Sequence, residues 1–200
     1  MCIISKKSYF SEYGQFIYIE NSKNISIEGW NDNGKIIKTM IIPDKINGKP
    51  VVSIGKQVFK DSNFTDVEIP DSVIKIGDKA FYGSELLEKV KLSSNLTRIN
   101  KELFWFCNIF SIVIPNKIKK IKSGAFFSNP LSEIFIGDNV LLDKNSIDYN
   151  QNKKNSETDF YSIYNRNNRK GGRYIRTEKV IKDEFDEKVG WIHSIWKYQN

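Results

Sequence analysis

Cysteine and histidine are nearly absent from this 200-residue sequence, which holds two of the first and one of the second. Cys2 and Cys107 have no CxxC spacing and no companion histidines, which excludes a disulfide framework and a zinc site. With His193 as the single histidine, no Ser–His–Asp or Cys–His arrangement can be assembled, and no cofactor or metal ligand set can be named. Long apolar runs are also missing, so no stretch approaches the ~20 residues of a membrane-spanning helix. The start, MCIISKKSYF, has two lysines but no apolar run after them, unlike a signal peptide. On sequence alone the chain is therefore cytoplasmic. Nor is charge of one sign concentrated. The net charge of +7 divides into 20 basic and 17 acidic side chains up to residue 150, then 11 and 7. That spread is unlike the basic stripe of a nucleic-acid binder.

What the sequence does contain is a core's worth of apolar side chains, 40% of the residues with 13 phenylalanines, arranged periodically. SIGKQVF, KIGDKAF, RINKELF and KIKSGAF align, with isoleucines Ile54, Ile76, Ile99 and Ile121 and phenylalanines Phe59, Phe81, Phe104 and Phe126. Successive spacings in both columns are 22, 23 and 22 residues. DVEIP, KVKLS, IVIP and EIFIG lead these segments and supply Val67, Val90, Ile112 and Ile134, then Ile69, Leu92, Ile114 and Ile136. Val73, Leu96, Ile118 and Val140 make a further column. TMIIP is an earlier copy, separated from Val51 by the insert INGKP. Several columns sharing one period identify a repeat architecture.

Such a pattern describes a coil. In DVEIP, Val67 and Ile69 alternate with Asp66 and Glu68, as in a half-exposed strand. Pro43, Pro70 and Pro115 follow that strand, where a missing N–H ends ladder pairing. The chain then turns and offers its Ile and Phe from the opposite wall. Gly55 and Gly77, directly after the Ile, are expected at positive φ; Asn100 tolerates that conformation, Lys122 does not, and Gly124 takes the turn instead. One such coil cannot fold alone. Ordering its backbone costs ~1–2 kcal/mol per residue, whereas each buried Phe or Ile returns ~1.5–3. Stacking turns the columns into shared ladders. Three positions past each Phe stand Ser62, Ser84, Cys107 and Asn129, a small or polar ladder in which Cys107 is a buried core residue.

These residues resemble the BspA-type leucine-rich repeat, whose pattern runs roughly LxxIxIPxxVxxIGxxAFxxC. The match is closest in VEIPDSVIKIGDKAFYGS, residues 67–84, and residues 39–59 look like the family's opening repeat, INGKP insert included. RINKELFWFC departs at Gly and Ala, and KIKSGAFFSN lacks the Gly after Ile. The resemblance implies a β-rich solenoid of 22–23-residue coils over residues 39–142. By implication the function is surface adhesion or binding of a protein or matrix ligand, at the cell surface or after secretion, and no catalytic residues come with it.

A solenoid exposes its core at both ends and needs caps. Residues 1–38 form an N-terminal cap: QFIYIE and NISIEGW alternate around NSKN as a β-hairpin, and Trp30 with Asn31–Gly34 closes a further turn. Residues 143–159 are polar and read as a linker or loose final coil. Residues 160–200 form a small C-terminal β module, with FYSIYN as a short helix before paired strands GGRYIR and GWIHSIW. Its Phe…Tyr-Asn…Lys-x-Gly-x-Tyr…Trp pattern resembles an aromatic module of some spirochaete-type relatives. NRKGGRYI lacks the G-x-x-x-x-G-K-[ST] spacing of a phosphate loop and reads as a tight turn. Glu184 and Asp186 in KDEFDEK are interleaved with lysines, as on a solvated turn.

Function is expected on strand positions facing away from the core. One column reads Ile41, Glu68, Lys91, Val113 and Phe135; its neighbour reads Thr39, Asp66, Lys89, Ser111 and Glu133. These line the concave sheet, the usual recognition surface of repeat folds. Glu68, Lys89, Lys91, Val113, Glu133 and Phe135 are accordingly the candidate partner-binding residues, with Val113 beside Phe135 as an exposed apolar patch. The rival site is basic and aromatic: Arg166, Arg169, Lys170, Arg173 and Arg176 with Tyr174, Trp191 and Trp196, suited to an anionic polysaccharide or, less well, nucleic acid. Partner identity and oligomeric state are not written in the sequence. The ladder itself is testable. Phe81→Ala should cost ~3–5 kcal/mol, the range for a buried aromatic; a denaturant midpoint shift worth less than ~1 kcal/mol would show the column is not buried.

Overall fold

The computed structural model describes residues 6–32, 37–147, 159–182 and 188–199, and between 177 and 195 it describes the backbone only. The expectations placed on Cys2, on the turn at Asn31–Gly34, on residues 148–158, on Glu184 and Asp186 and on the Trp191 and His193 side chains lie outside those residues.

The chain opens with a three-stranded antiparallel meander, β1 (Lys6–Ser11), β2 (Gly14–Glu20) and β3 (Ile25–Asn31). Its inner residues Phe16, Tyr18, Ile25 and Ile27 are buried. NSKN turns between β2 and β3 as expected, with the Asn21 side chain accepting from the Lys23 and Asn24 amides at 2.8 and 2.9 Å. KKSYFS, which carries no motif of its own, forms β1 and supplies Lys7, which with Lys49 clamps Glu20. Hydrogen bonds from those two ammonium groups hold the Glu20 carboxyl down at about 2.

About five coils follow, spaced by roughly 22 residues. The first carries β4 (Thr39–Ile41), then β5 (Lys45–Ile46) and β6 (Lys49–Ile54). β5 and β6 form an antiparallel ribbon whose turn residues Asn47 and Gly48 sit at φ 51° and 77°, the Asn-Gly hairpin geometry. The later coils contribute β7 (Asp66–Glu68) and β8 (Lys75–Ile76), β9 (Lys89–Lys91) and β10 (Arg98–Ile99), β11 (Ser111–Val113) and β12 (Lys120–Ile121), and β13 (Glu133–Ile136) and β14 (Leu141–Leu142). Odd-numbered strands from β7 to β13 form the front wall with β4, paired in parallel as β4–β7–β9 and β11–β13; even-numbered ones from β6 to β14 form the back wall, paired as β6–β8 and β10–β12–β14. The meander extends the back wall, because β3 pairs in parallel with β6.

The core is a set of ladders running through every coil. Phe59, Phe81, Phe104 and Phe126 are fully buried and stack face to face, with ring centroids 5.1, 5.2 and 5.4 Å apart. Trp30 closes the N-terminal end of this stack, 5.6 Å from Phe59 and 5.8 Å from Phe64. A column not read from the sequence, Phe64, Leu87, Ile109 and Leu131, is equally buried. The small-residue ladder is a row of hydrogen bonds between coils. Ser84 Oγ donates to the Phe59 carbonyl at 3.0 Å, Cys107 Sγ to Phe81 at 3.2 Å and Asn129 Nδ2 to Phe104 at 2.6 Å. Each residue thus ties its coil to the phenylalanine of the preceding one. Burial pushes the Cys107 thiol up to about 12, so it is an inert donor.

The glycine expectation is corrected. Gly55, Gly77 and Asn100 are not at positive φ; the left-handed positions are two residues later, at Gln57, Lys79, Glu102 and Gly124, and again at Asp61, Gly83, Phe106 and Ser128. Gly77 is instead required by space, since a Cβ there would lie 2.5 Å from the Lys56 nitrogen and 2.6 Å from the Gly55 carbonyl carbon. Coils approach most closely at this point, where the Gly77 amide donates to the Ile54 carbonyl at 2.8 Å. In the next coil the side chain of Asn100 donates to the Ile76 carbonyl, so a carboxamide replaces the backbone donor. Gly77→Ala should therefore destabilise by ~1–3 kcal/mol through backbone overpacking. An unchanged thermal midpoint would show that the coils can part there without loss.

Candidate recognition surface

Each front strand is only three or four residues long, so one or two side chains per coil reach solvent from it. Parallel pairing puts these in register: Thr39, Asp66 and Lys89 in one row and Ile41, Glu68 and Lys91 in the next. In the N-terminal half the charges oppose one another, and Lys91 reaches Glu68 at 3.3 Å. Thr39, Asp66, Glu68, Lys89 and Lys91 line a shallow polar depression of about 320 Å³.

The C-terminal half differs. Ser111 stands beside Glu133 and Val113 beside Phe135. Val113 is 62% exposed and Phe135 37%. Beyond them, α1 (Phe160–Arg166) leads into the antiparallel hairpin β15 (Gly172–Lys182) and β16 (Lys188–Gln199), and β15 pairs with β13. The hairpin therefore continues the front sheet, placing Arg173 next to Phe135 and Ile175 next to Glu133. The Arg173 guanidinium lies 5.8 Å from the Phe135 ring centre, donates to the Glu133 carboxylate and reaches Gln199 Oε1 at 3.1 Å. Val113, Asn116, Phe135, Arg173, Tyr198 and Gln199 surround a depression of about 330 Å³.

Several local features seat this hairpin. Asp159 caps α1 by accepting from the Ser162 amide at 2.6 Å. Phe160, Tyr164, Tyr174 and Trp196 are buried together, with ring centroids 5.1 to 5.8 Å apart. Tyr164 Oη accepts from the Val140 amide at 3.0 Å and donates to the Gly137 carbonyl at 2.7 Å, fixing α1 to the last coil. Desolvation raises the pKa of both Tyr164 and Tyr174. The two glycines of NRKGGRYI serve close approach and turning: a Cβ on Gly171 would meet the Asp138 nitrogen at 2.6 Å, and Gly172 sits at φ 145°.

The two sets of candidate residues fall as follows. Glu68, Lys89 and Lys91 share the N-terminal half of the front sheet, and Val113, Glu133 and Phe135 the C-terminal half. Arg173, assigned to the rival basic set, joins the second group. Arg169 occupies the turn after α1 at φ 55°, and Lys170 lies 4.9 Å from the Tyr198 ring centre. Arg176 is half-buried, and its Nε is enclosed without a partner. Tyr174 and Trp196 have no exposed face on which a base or sugar could stack. The pairing of β15 with β13 was the missing signal: nothing in the sequence reveals which sheet edge the hairpin joins. Among the described residues there is no group of three His, Cys, Asp or Glu able to hold a metal, and no helix long and apolar enough to cross a membrane.

A family model for the BspA type leucine rich repeat region matches residues 52–163 in six copies. Among solved structures, a leucine rich cell surface protein from Faecalibacterium prausnitzii is 26% identical with a TM-score of 0.56, over 62% of this chain and 32% of its own. The chain thus spans about a third of that protein's length. A leucine-rich repeat protein from Bacteroides capillosus is 24% identical with a TM-score of 0.55, over 68% of this chain and 98% of its own, and shares the fold. No curated protein matches.

The seating of the hairpin can be measured through Tyr164. Tyr164→Phe leaves the Val140 amide and Gly137 carbonyl without their partner, worth ~1–3 kcal/mol for enclosed groups. Faster amide hydrogen exchange is expected in β15, with protection of Ile76 and Ile99 unchanged. Unaltered exchange in β15 would mean that the tyrosine hydroxyl does not hold the module.

Proposed function

Because the chain belongs to the BspA-type leucine-rich repeat family, we propose that it is a non-catalytic recognition protein. In this reading it binds a protein or extracellular-matrix partner through the C-terminal half of the front sheet. The observation that carries it is the adjacent pair Val113 and Phe135, exposed side by side on neighbouring front strands. Adjacent exposed apolar side chains of this kind are a common mark of a contact surface. Glu133, Arg173 and Gln199 ring the pair, giving an apolar anchor with a polar rim. The description of the Faecalibacterium relative as a cell surface protein supports an extracellular partner.

The test is binding to a panel of purified extracellular-matrix proteins. Loss of an anchor costs ~2 kcal/mol or more, so Phe135→Ala should weaken a bound partner about thirtyfold. Thermal unfolding should barely change, since the ring points away from the ladders. Arg173 does not separate this reading from a basic C-terminal site, because it belongs to the Phe135 neighbourhood. The separating variant is Arg169→Ala with Lys170→Ala. Binding that survives Phe135→Ala but disappears with that double variant would reject the front sheet.

A further inference from the structure

A broad depression lies on the back wall, away from the front sheet. It measures about 700 Å³ and runs across the coils, from Ser26 and Glu28 on β3 to Arg98, Asn100 and Lys122. Outward positions of successive coils line it: Ser53 pairs with Lys75, and Thr97 and Arg98 line it from the next coil. Lys75 and Arg98 are exposed, and Lys56 and Lys122 flank them. Lys120 has an acid, Asp143, at 2.9 Å. Among the described residues, Lys56, Lys75, Arg98 and Lys122 make no ion pair.

Stacked coils bring neighbouring strands to ~4.8 Å, so cations in one column repel each other. The front sheet avoids this by opposing Asp66 to Lys89 and Glu68 to Lys91. The back wall does not. Its two acids, Glu28 and Asp78, are outnumbered by the four cations and bond to neutral donors: Glu28 accepts from Ser26 Oγ, and Asp78 accepts from the Lys101 amide at 3.2 Å. An anion set along the column would turn the repulsion into attraction.

The remaining lining describes the rest of the ligand. Thr97 presents a hydroxyl, Ser53 Oγ donates to Ser26 Oγ and Ser26 Oγ to Glu28, and no aromatic ring lines the depression. Nucleobases therefore have nothing to stack on. Hydroxyl-rich walls beside spaced cations fit a polyhydroxylated chain with regularly spaced anionic groups. The rise of one coil is close to that of one pyranose unit in an extended glycan. We infer that the back-wall groove binds a linear anionic polysaccharide lying across the coils, with its sulfate or carboxylate groups on Lys75 and Arg98. This site is independent of the front-sheet reading.

The test uses the full chain with dextran sulfate, polygalacturonate and neutral dextran. One or both polyanions should bind, neutral dextran should not, and the tighter of the two identifies the anionic group. Affinity should fall steeply between roughly 50 and 200 mM salt, as for other charge-led contacts. Lys75→Gln with Arg98→Gln should lower affinity about tenfold or more and flatten the salt dependence. Both side chains are exposed, so circular dichroism and the thermal midpoint should not change; Phe135→Ala should leave polyanion binding intact. Undiminished binding by the Lys75/Arg98 variant overturns the proposal, as does loss on Arg169→Ala with Lys170→Ala instead. Equal or tighter binding of single-stranded DNA with the same dependence on Lys75 and Arg98 would overturn the polysaccharide assignment.

Discussion

Everything in this molecule depends on one constraint: the same atoms must recur at the same height in every coil. A 22-residue coil has no interior of its own. Phe81 is buried only because Phe59 and Phe104 cover its two faces, and the Phe81 amide finds its acceptor on Leu103 of the next coil. Backbone groups enclosed without partners are expensive, so the hydrogen bonds are as demanding as the rings. The residues three past each phenylalanine answer that demand. Serine, cysteine and asparagine share the ability to donate to a carbonyl one coil away, so three chemically different residues are interchangeable there. The ladder thereby selects a function at each position rather than an identity.

Stacking also dictates what happens at the ends. A coil without a neighbour leaves both a ring and a sheet edge open. At the N-terminus Trp30 covers the ring and β3 covers the back-wall edge. At the C-terminus the hairpin covers the front-sheet edge through β15, while Tyr164 satisfies backbone groups at Gly137 and Val140. The two caps thus extend opposite walls. This asymmetry is why the apolar pair on the last coils does not sit at a frayed margin. It lies inside a sheet that continues for two more strands, with a cation fixed beside it.

The solenoid was legible in the sequence because a ladder writes its period into several columns at once. Of the inner row Val67, Val90, Ile112 and Ile134, three are buried and Val90 is half-buried against the core. Backbone conformation was less legible. Gly55 and Gly77 read as left-handed, yet Gly77 lets two backbones touch and Gly55 leaves room for the Glu28 side chain, contacts between residues far apart in sequence. Three residues past the Ile column, the left-handed position is filled by Gln57, Lys79 and Glu102, whose side chains carry no turn signature, and by Gly124 in the fourth coil. The merging of Phe135 with Arg173 was hidden for the same reason. Strand pairing between residues ~40 apart is set by where the helix docks, and periodicity is silent on it.

One irregularity in the repeat shows how rigidly the ladder is defended. From Ser62 to Val67 is five steps, but from Ser84 to Val90 it is six. The extra residue does not disturb the core, since Leu87 takes the buried place that Phe64, Ile109 and Leu131 hold in other coils. Leu86 is extruded instead and is 53% exposed. Exposing a leucine forfeits its burial, ~1.5–3 kcal/mol. Shifting the ladder by one residue would forfeit every column in the coil. Sequence change can therefore accumulate on outward positions, where the front sheet's apolar pair and the back wall's cations both stand, while the inner rows remain tied to one register.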